Sequence, residues 1–218
     1  MLTASWIWLL FVLRALWPGV PGMPAEREGE MPPFGQDTVL VWKSENQGQT
    51  HEFVVRIAVF LPDRYFEWED STTQGTVLLT SKAVSLAKAF VSTRLFEAGT
   101  DTKGKEATTL WLSARLFGEL KAHGKVKATV DSIDTWMTVL GRDRMSIQVN
   151  RSPMEVSVLR VADDRGNERW ILYDDRNPLV VKHLFRSFTM TLVSATTDRP
   201  NSLRWIKGAK LAHPPRSE

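Results

Sequence analysis

The chain has 218 residues and no cysteine. That absence removes disulfides, thiolate nucleophiles and Cys-ligated zinc or iron–sulfur centres. It also removes the lipidated cysteine of a bacterial lipoprotein. It does not fix the compartment, because a periplasmic protein without bridges fits as well as a cytosolic one. Tyrosine is scarce, with two residues against nine tryptophans. Neither sign of charge dominates: 28 Lys and Arg are interspersed with 25 Asp and Glu, for a net charge of +3. That is a solvated surface without a basic footprint, so nucleic acid is not expected as a partner.

Motifs of chemistry are equally sparse. The four histidines, His51, His123, His183 and His213, are isolated. No pair has metal-ligand spacing, so no metal is expected. There is no G-x-S-x-G nucleophile elbow. The stretch Gly99–Lys105, "GTDTKGK", lacks the glycine spacing and the following Lys-Ser/Thr helix start of a phosphate loop. No cofactor and no catalytic residue are implied.

The longest unbroken apolar run near the start, Ser5–Leu13, "SWIWLLFVL", is too short to span a bilayer alone. Arg14 interrupts it, and "PGVPGMP", Pro18–Pro24, follows. A short apolar run followed by Pro, Gly and small residues has the pattern of a signal peptide, with Val20 and Gly22 suited to a cleavage site. We read residues 1–22 as a signal peptide, with a membrane anchor as the alternative; no Lys or Arg precedes the run. Export to the periplasm or the medium follows, and the only membrane contact is through this segment if it is uncleaved. Residues 23–36 are polar and Pro-rich and read as a tether; residues 37–212 read as one β-rich domain and 213–218 as a tail.

From His51 the periodicity is two. Phe53, Val55, Ile57 and Val59 share one face, "LPD" at Leu61–Asp63 is a turn, and "RYFEWED" resumes the alternation. "GTVLLT", Gly75–Thr80, is a further strand. The period then lengthens. In Ser81–Gly99, Val84, Ala87, Val91 and Leu95 follow helical spacing, with Ser81 as N-cap and Gly99 as the residue past the C-cap. This is expected to be the main helix. "TTLWLS" reads as a strand, and "ARLFGELKAHG" as a short second helix capped by Ser113 and ended by Gly124. The remainder reads as strands: "KVKATVD", "SIDTWMTVL", "RMSIQVN", "MEVSVLRV", "RWILY", "PLVVKHLF", "FTMTLVSA" and "LRWIK", with "DDRGN" at Asp163–Asn167 as a hairpin loop. The expected class is α+β: a strongly curved antiparallel sheet of about ten strands packed on one main helix, with a short second helix. A closed barrel is the second architecture.

Asp174 and Asp175 are the most suggestive acids. A catalytic pair needs two carboxylates in different environments within one cleft. Adjacent strand residues point to opposite faces, and "DDRNP" carries turn residues, so a turn explains both. Lys125 and Lys127 of "KAHGKVK" fall on the wet face of a strand and read as solvated.

The stretches "FLPDRYFEWED", "TTLWLSARLFGELKAHGKV" and "ERWILYDDRNPLVVK" resemble a group of uncharacterised bacterial exported proteins. The β-rich body of that group is similar to periplasmic lipoprotein-carrier-like half-barrels. The resemblance covers roughly Phe53–Lys182 and rests on "LWLS" at Leu110–Ser113 and on Trp170, Asp175 and Pro178-Leu179. It implies envelope location and an apolar groove between sheet and helix, and it brings no catalytic residues. The leading expectation is a non-enzymatic exported protein that binds a lipid or other apolar ligand, or an envelope partner. Trp68, Trp111, Trp136 and Trp170 are the candidate ligand-binding residues. The alternatives are an interaction module acting through a sheet edge and a hydrolase using Glu67, Glu69 or Asp174.

Overall fold

The computed structural model describes residues 34–92 and 101–197. The readings at 1–22, Leu203–Lys207 and 213–218, all of the tether up to residue 33, and the end of the expected main helix with Leu95 and Gly99, lie outside these residues. Phe34, read as tether, is buried in the core.

Among the described residues there are thirteen strands and two helices. In chain order they are β1 (Val39–Asn46), β2 (Gln49–Val59), β3 (Arg64–Glu69), β4 (Gln74–Leu79), α1 (Ser81–Leu86), β5 (Ala89–Phe90), β6 (Asp101–Gly104) and β7 (Ala107–Thr108). There follow α2 (Ala114–His123), β8 (Lys125–Val130), β9 (Ile133–Val149), β10 (Ser152–Asp163), β11 (Glu168–Leu172), β12 (Val180–Leu184) and β13 (Phe188–Thr196). The fold is therefore mostly β. β1 is a strand that the periodicity did not pick out.

All strands belong to one sheet in the order β6-β4-β3-β2-β1-β13-β12-β11-β10-β9-β8-β5-β7. Most neighbours are antiparallel, as expected, but β4–β6, β5–β7, β5–β8 and β13–β9 are parallel. Two connections show how far the sheet curls. The β13–β9 pairing, Ser194 with Gln148 and Ala195 with Val149, closes a ring of β9 to β13. The terminal strands β6 and β7 are separated by only Lys105 and Glu106, so the two ends of the sheet lie together.

The core divides into two clusters on opposite faces of β10, β11 and β12. Val156, Val158, Trp170, Leu172, Leu179 and Val181 point into one, with Leu40, Trp42, Val55, Ile57, Phe66 and Trp68 of β1–β3. Leu159, Val161, Ile171 and Val180 point into the other, with Leu116, Phe117 and Leu120 of α2 and Val126, Ala128 and Val130 of β8. Strands buried on both faces read as continuous apolar runs; "WIL" and "PLVV" are two such runs.

The expected main helix is corrected. α1 is one and a half turns long, capped by the Thr80 side chain and not by Ser81. Ala87 is extended, and the chain enters β5. Helical spacing loses here to tertiary pairing: Thr129 N donates to Lys88 O, Asp131 N to Phe90 O and Val91 N to Thr108 O. Phe90 is fully buried in the second cluster. Propensity and periodicity yield to such contacts routinely. The longer helix is α2, which has the caps expected for it: Ser113 Oγ accepts from Leu116 N, and Gly124 is left-handed at φ 69°.

Two further expectations change. "SIDTWMTVL" and "RMSIQVN" form one strand, β9, in which the register slips by one residue at Leu140; a bulge absorbs the irregularity without ending the strand. "TTLWLS" is largely irregular, with Leu110 at φ 58° and Trp111 in an isolated bridge to Leu179. The hairpin at Asp163–Asn167 is as expected, with Gly166 at φ 79°. Phe117 anchors α2 on the sheet, so Phe117→Ala should cost about 3–5 kcal/mol in denaturant unfolding, the usual range for a buried aromatic. Exposed Lys82→Ala should stay within about 0.5 kcal/mol; equal effects would contradict this packing.

Candidate ligand groove between helix α2 and the β8–β9 hairpin

Ser113 fixes the start of α2. Its hydroxyl accepts from Leu116 N at 3.1 Å and donates to the Ala87 carbonyl at 2.6 Å, which ties α2 to the end of α1. The next residue, Lys88, is held to β8 by its own carbonyl. α2 therefore lies over the sheet with one flank above β8. A concavity of about 420 Å³ runs along the outer edge of β8, with α2 on one side of that edge and the wet face of the β8–β9 hairpin on the other. Arg115, Leu116 and Glu119 line it from α2, and Lys88 lines it from the α1–β5 link. β8 contributes Lys125 to Thr129, and β9 contributes Asp134 and Trp136.

The charges in the groove do not cancel. Arg115 Nε meets Glu119 Oε1 at 2.9 Å, one helical turn apart. Lys127 Nζ lies 3.5 Å from Asp134 Oδ2, and Thr129 Oγ1 donates to Asp134 Oδ1. These contacts, the Thr129 hydroxyl first and Lys127 second, hold the Asp134 carboxyl below its ordinary range. Lys125 Nζ sits over the Trp136 ring, 4.7 Å from its centre. Lys88 has no carboxylate partner among the described residues. Four cations against two anions leave two positive charges, beside an indole that is 43% exposed. A cation over an indole face is a recurrent motif, and the exposed remainder offers apolar area to a ligand.

The four candidate tryptophans are not brought together. Trp68, Trp111 and Trp170 share the first core cluster with Trp42, while Trp136 stands apart in the groove. Trp111 donates to Asn177 Oδ1 at 2.7 Å. Phe66 tilts against Trp111 at 5.5 Å between ring centres. Trp170 lies between the Lys182 and Arg160 cations at 4.6 and 5.2 Å. These rings are packed into the interior and do not face a shared hollow.

The acids separate as a turn requires. Asp174 Oδ1 accepts from Arg176 N, and Asn177 N donates to the Asp174 carbonyl. Asp175 points outward to Lys121 Nζ at 2.7 Å. Glu67 and Glu69 lie on the face of β3 opposite Phe66 and Trp68, with Arg56 bound to Glu69. Burial raises the Glu67 pKa, Arg56 opposes it and Glu69 adds to it. Asp174 instead influences Arg64, whose guanidinium falls to about 9 because it is buried, with Asp174 partly restoring it. Arg64 alternates with Glu67 across β3, so the three acids of the hydrolase reading share no cleft. No group of three or more metal-ligating side chains occurs among the described residues, and none of their helices is long and apolar enough to cross a membrane.

Sequence reasoning passed over Lys88, Arg115 and the Ser85-x-x-Lys88 spacing. Ser-x-x-Lys places a nucleophile and a lysine one helical turn apart. Here α1 ends at Leu86 and Ala87 is extended, so that geometry is lost. The sequence also gave no sign of a buried polar group in the second cluster. Arg169, fully buried, donates to Asp163 Oδ2 at 3.1 Å. Burial raises the Asp163 carboxyl, but hydrogen bonds from Asn167 and the Arg169 charge outweigh it and leave the group below its usual range. His183 is stacked between Phe90 and Phe185, and neither ring nitrogen has a partner among the described residues. No protein-family model and no curated protein matches the chain.

Burial first, and Arg169 second, hold the His183 pKa well below its ordinary 6.5. The folded state keeps His183 neutral where the unfolded chain protonates it. Stability is therefore complete above about pH 6.5 and is lost as pH falls toward the folded value. Asp163 adds its own loss only at lower pH, as the solution falls through the ordinary carboxylate range toward the lowered folded value. His183→Phe, measured by denaturant unfolding from about pH 7 to pH 5, should give a flatter stability profile than the native chain; superimposable slopes would refute this assignment.

Proposed function

We propose that the protein is an exported, non-enzymatic binding protein whose working surface is the groove between α2 and the β8–β9 hairpin, and that its ligand is anionic. One observation carries the reading: the groove combines two uncompensated lysines, Lys88 and Lys125, with the exposed Trp136. A volume of about 420 Å³ is within the range of small-ligand sites. The groove lies beside α2 and not against the Ser81–Gly99 helix where a ligand was expected, and its cationic rim favours an acidic ligand over a purely apolar one. The tightly packed tryptophans of the first cluster weigh against a lipid cavity in the interior. The separated acids weigh against hydrolysis.

Export is supported by the apolar run Ser5–Leu13 with its Pro/Gly sequel and by the likeness to exported half-barrel proteins. The curled sheet with α2 on one face is consistent with that likeness. Appending residues 1–36 to a reporter active only outside the cytoplasm should confer activity; an inactive, cytoplasmic reporter would remove the export reading.

For the groove, poly-L-glutamate and a sulfated oligosaccharide serve as anionic probes. Tryptophan emission should change on titration with at least one of them in the native chain and not in Trp136→Phe. Lys88→Ala combined with Lys125→Ala should weaken binding about tenfold, corresponding to ~1.4 kcal/mol. A response that persists in Trp136→Phe, or that ignores both lysines, would place binding elsewhere.

A further inference from the structure

One wall of the groove is backbone. β8 pairs with β9 along its whole length on one side, from Lys125 with Thr138 to Val130 with Ile133. On the other side its only strand partner among the described residues is β5, at Thr129 and Val130. Strand parity shows which groups are left. Val139 N donates to Gly124 O, so the even-numbered residues direct their backbone groups to β9. Thr129 N and Asp131 N donate to Lys88 O and Phe90 O, so the odd-numbered ones face away from it. Lys125 and Lys127 therefore present their N–H and C=O groups to the groove, with no strand among the described residues to receive them.

An unpaired edge is a template for another strand. We propose that this edge accepts an extended acidic peptide of a partner protein, added to β8 in line with β5 and under the flank of α2. The proposal rests on the groove reading above and specifies its ligand. β5 shows that the position is strand-compatible, because it already occupies the next two residues of the same edge. From Lys125 to Ala128 the open edge is about 13 Å long at strand rise, room for three or four residues.

The side chains fix the composition of that peptide. Val126 and Ala128 point to the α2 side, where Leu116 lies, while Lys125 and Lys127 point to the opposite, wet face. A strand added here alternates in step with them, so its residues facing α2 are apolar and those beside the lysines are acidic. An alternating Glu-Val sequence fits, and backbone bonds with side-chain alternation are how strand addition combines affinity with specificity.

The test uses the full chain and the pentapeptide acetyl-Glu-Val-Glu-Val-Glu-amide, with affinity measured by calorimetry. Two further peptides carry N-methyl groups on either the Glu or the Val residues, which removes alternate backbone donors. One methylated set should bind at least tenfold more weakly, and the other should stay within about threefold of the parent. Lys125→Gln with Lys127→Gln should weaken the parent peptide several-fold; both residues are exposed, so the fold is retained. If both methylated peptides bind like the parent, strand addition is wrong while the groove reading stands. If the pentapeptide does not bind while poly-L-glutamate or the sulfated oligosaccharide does, an extended peptide is not the ligand. If none of these probes alters Trp136, both readings fall.

Discussion

β11, β12 and the second half of β10, from Val158, have almost no wet face. Val156 and Val158 point one way and Leu159 and Val161 largely the other; Trp170 and Leu172 flank Ile171, and Leu179 and Val181 flank Val180. Such strands require a cover on each side. β1–β4, curling over from β13, supply one cover, and α2 with β8 supplies the other. The curl of the sheet, the β13–β9 closure and the position of α2 all follow from this two-sided burial. So does the groove, because α2 must sit on the sheet close to β8, and among the described residues the outer edge of β8 is only partly filled by the two residues of β5.

The same burial brings polar groups inside at a cost. Arg64 lies over Phe60 and Trp111, with one nitrogen donating to the Arg176 carbonyl. Arg169 is paired with Asp163 beside the neutral His183. Buried ion pairs seldom add net stability, since desolvation takes back most of the attraction. What they fix is register: Arg64 ties β3 to the turn before β12, and Arg169 ties β11 to the loop that precedes it. The Asp174–Asn177 turn belongs to this framework. Asn177 accepts from Trp111 and donates to the Phe34 carbonyl, so the turn joins three distant parts of the chain.

Much of the β architecture was legible because alternation is a local signal. β2, β3, β8, β10 and β13 were marked by their period-two patterns, and α2 by Ser113 and Gly124. The failures were long-range. Nothing local in Ser81–Gly99 reveals that Lys88 and Phe90 are claimed by Thr129 and Asp131 some forty residues later. β1 was missed because its polar half, Lys43–Asn46, hides a short alternation at Leu40 and Trp42. The groove was only partly legible. Trp136, Lys125 and Lys127 were noticed, but as one member of an aromatic set and as a solvated face. Their convergence with Lys88 and Arg115 depends on the docking of α2, which periodicity does not encode.

The tryptophans of the first cluster are packed into the interior, and the proposed ligand recognition is left to the surface beside α2. Fluorine NMR of 5-fluorotryptophan-labelled protein tests this directly, because each indole reports separately. On addition of an acidic peptide, the Trp136 resonance should shift while Trp42, Trp68 and Trp111 stay in place, and a long-chain lipid should move none of those three. Displacement of the Trp42, Trp68 or Trp111 resonances by the lipid, with Trp136 unmoved by the peptide, would contradict it.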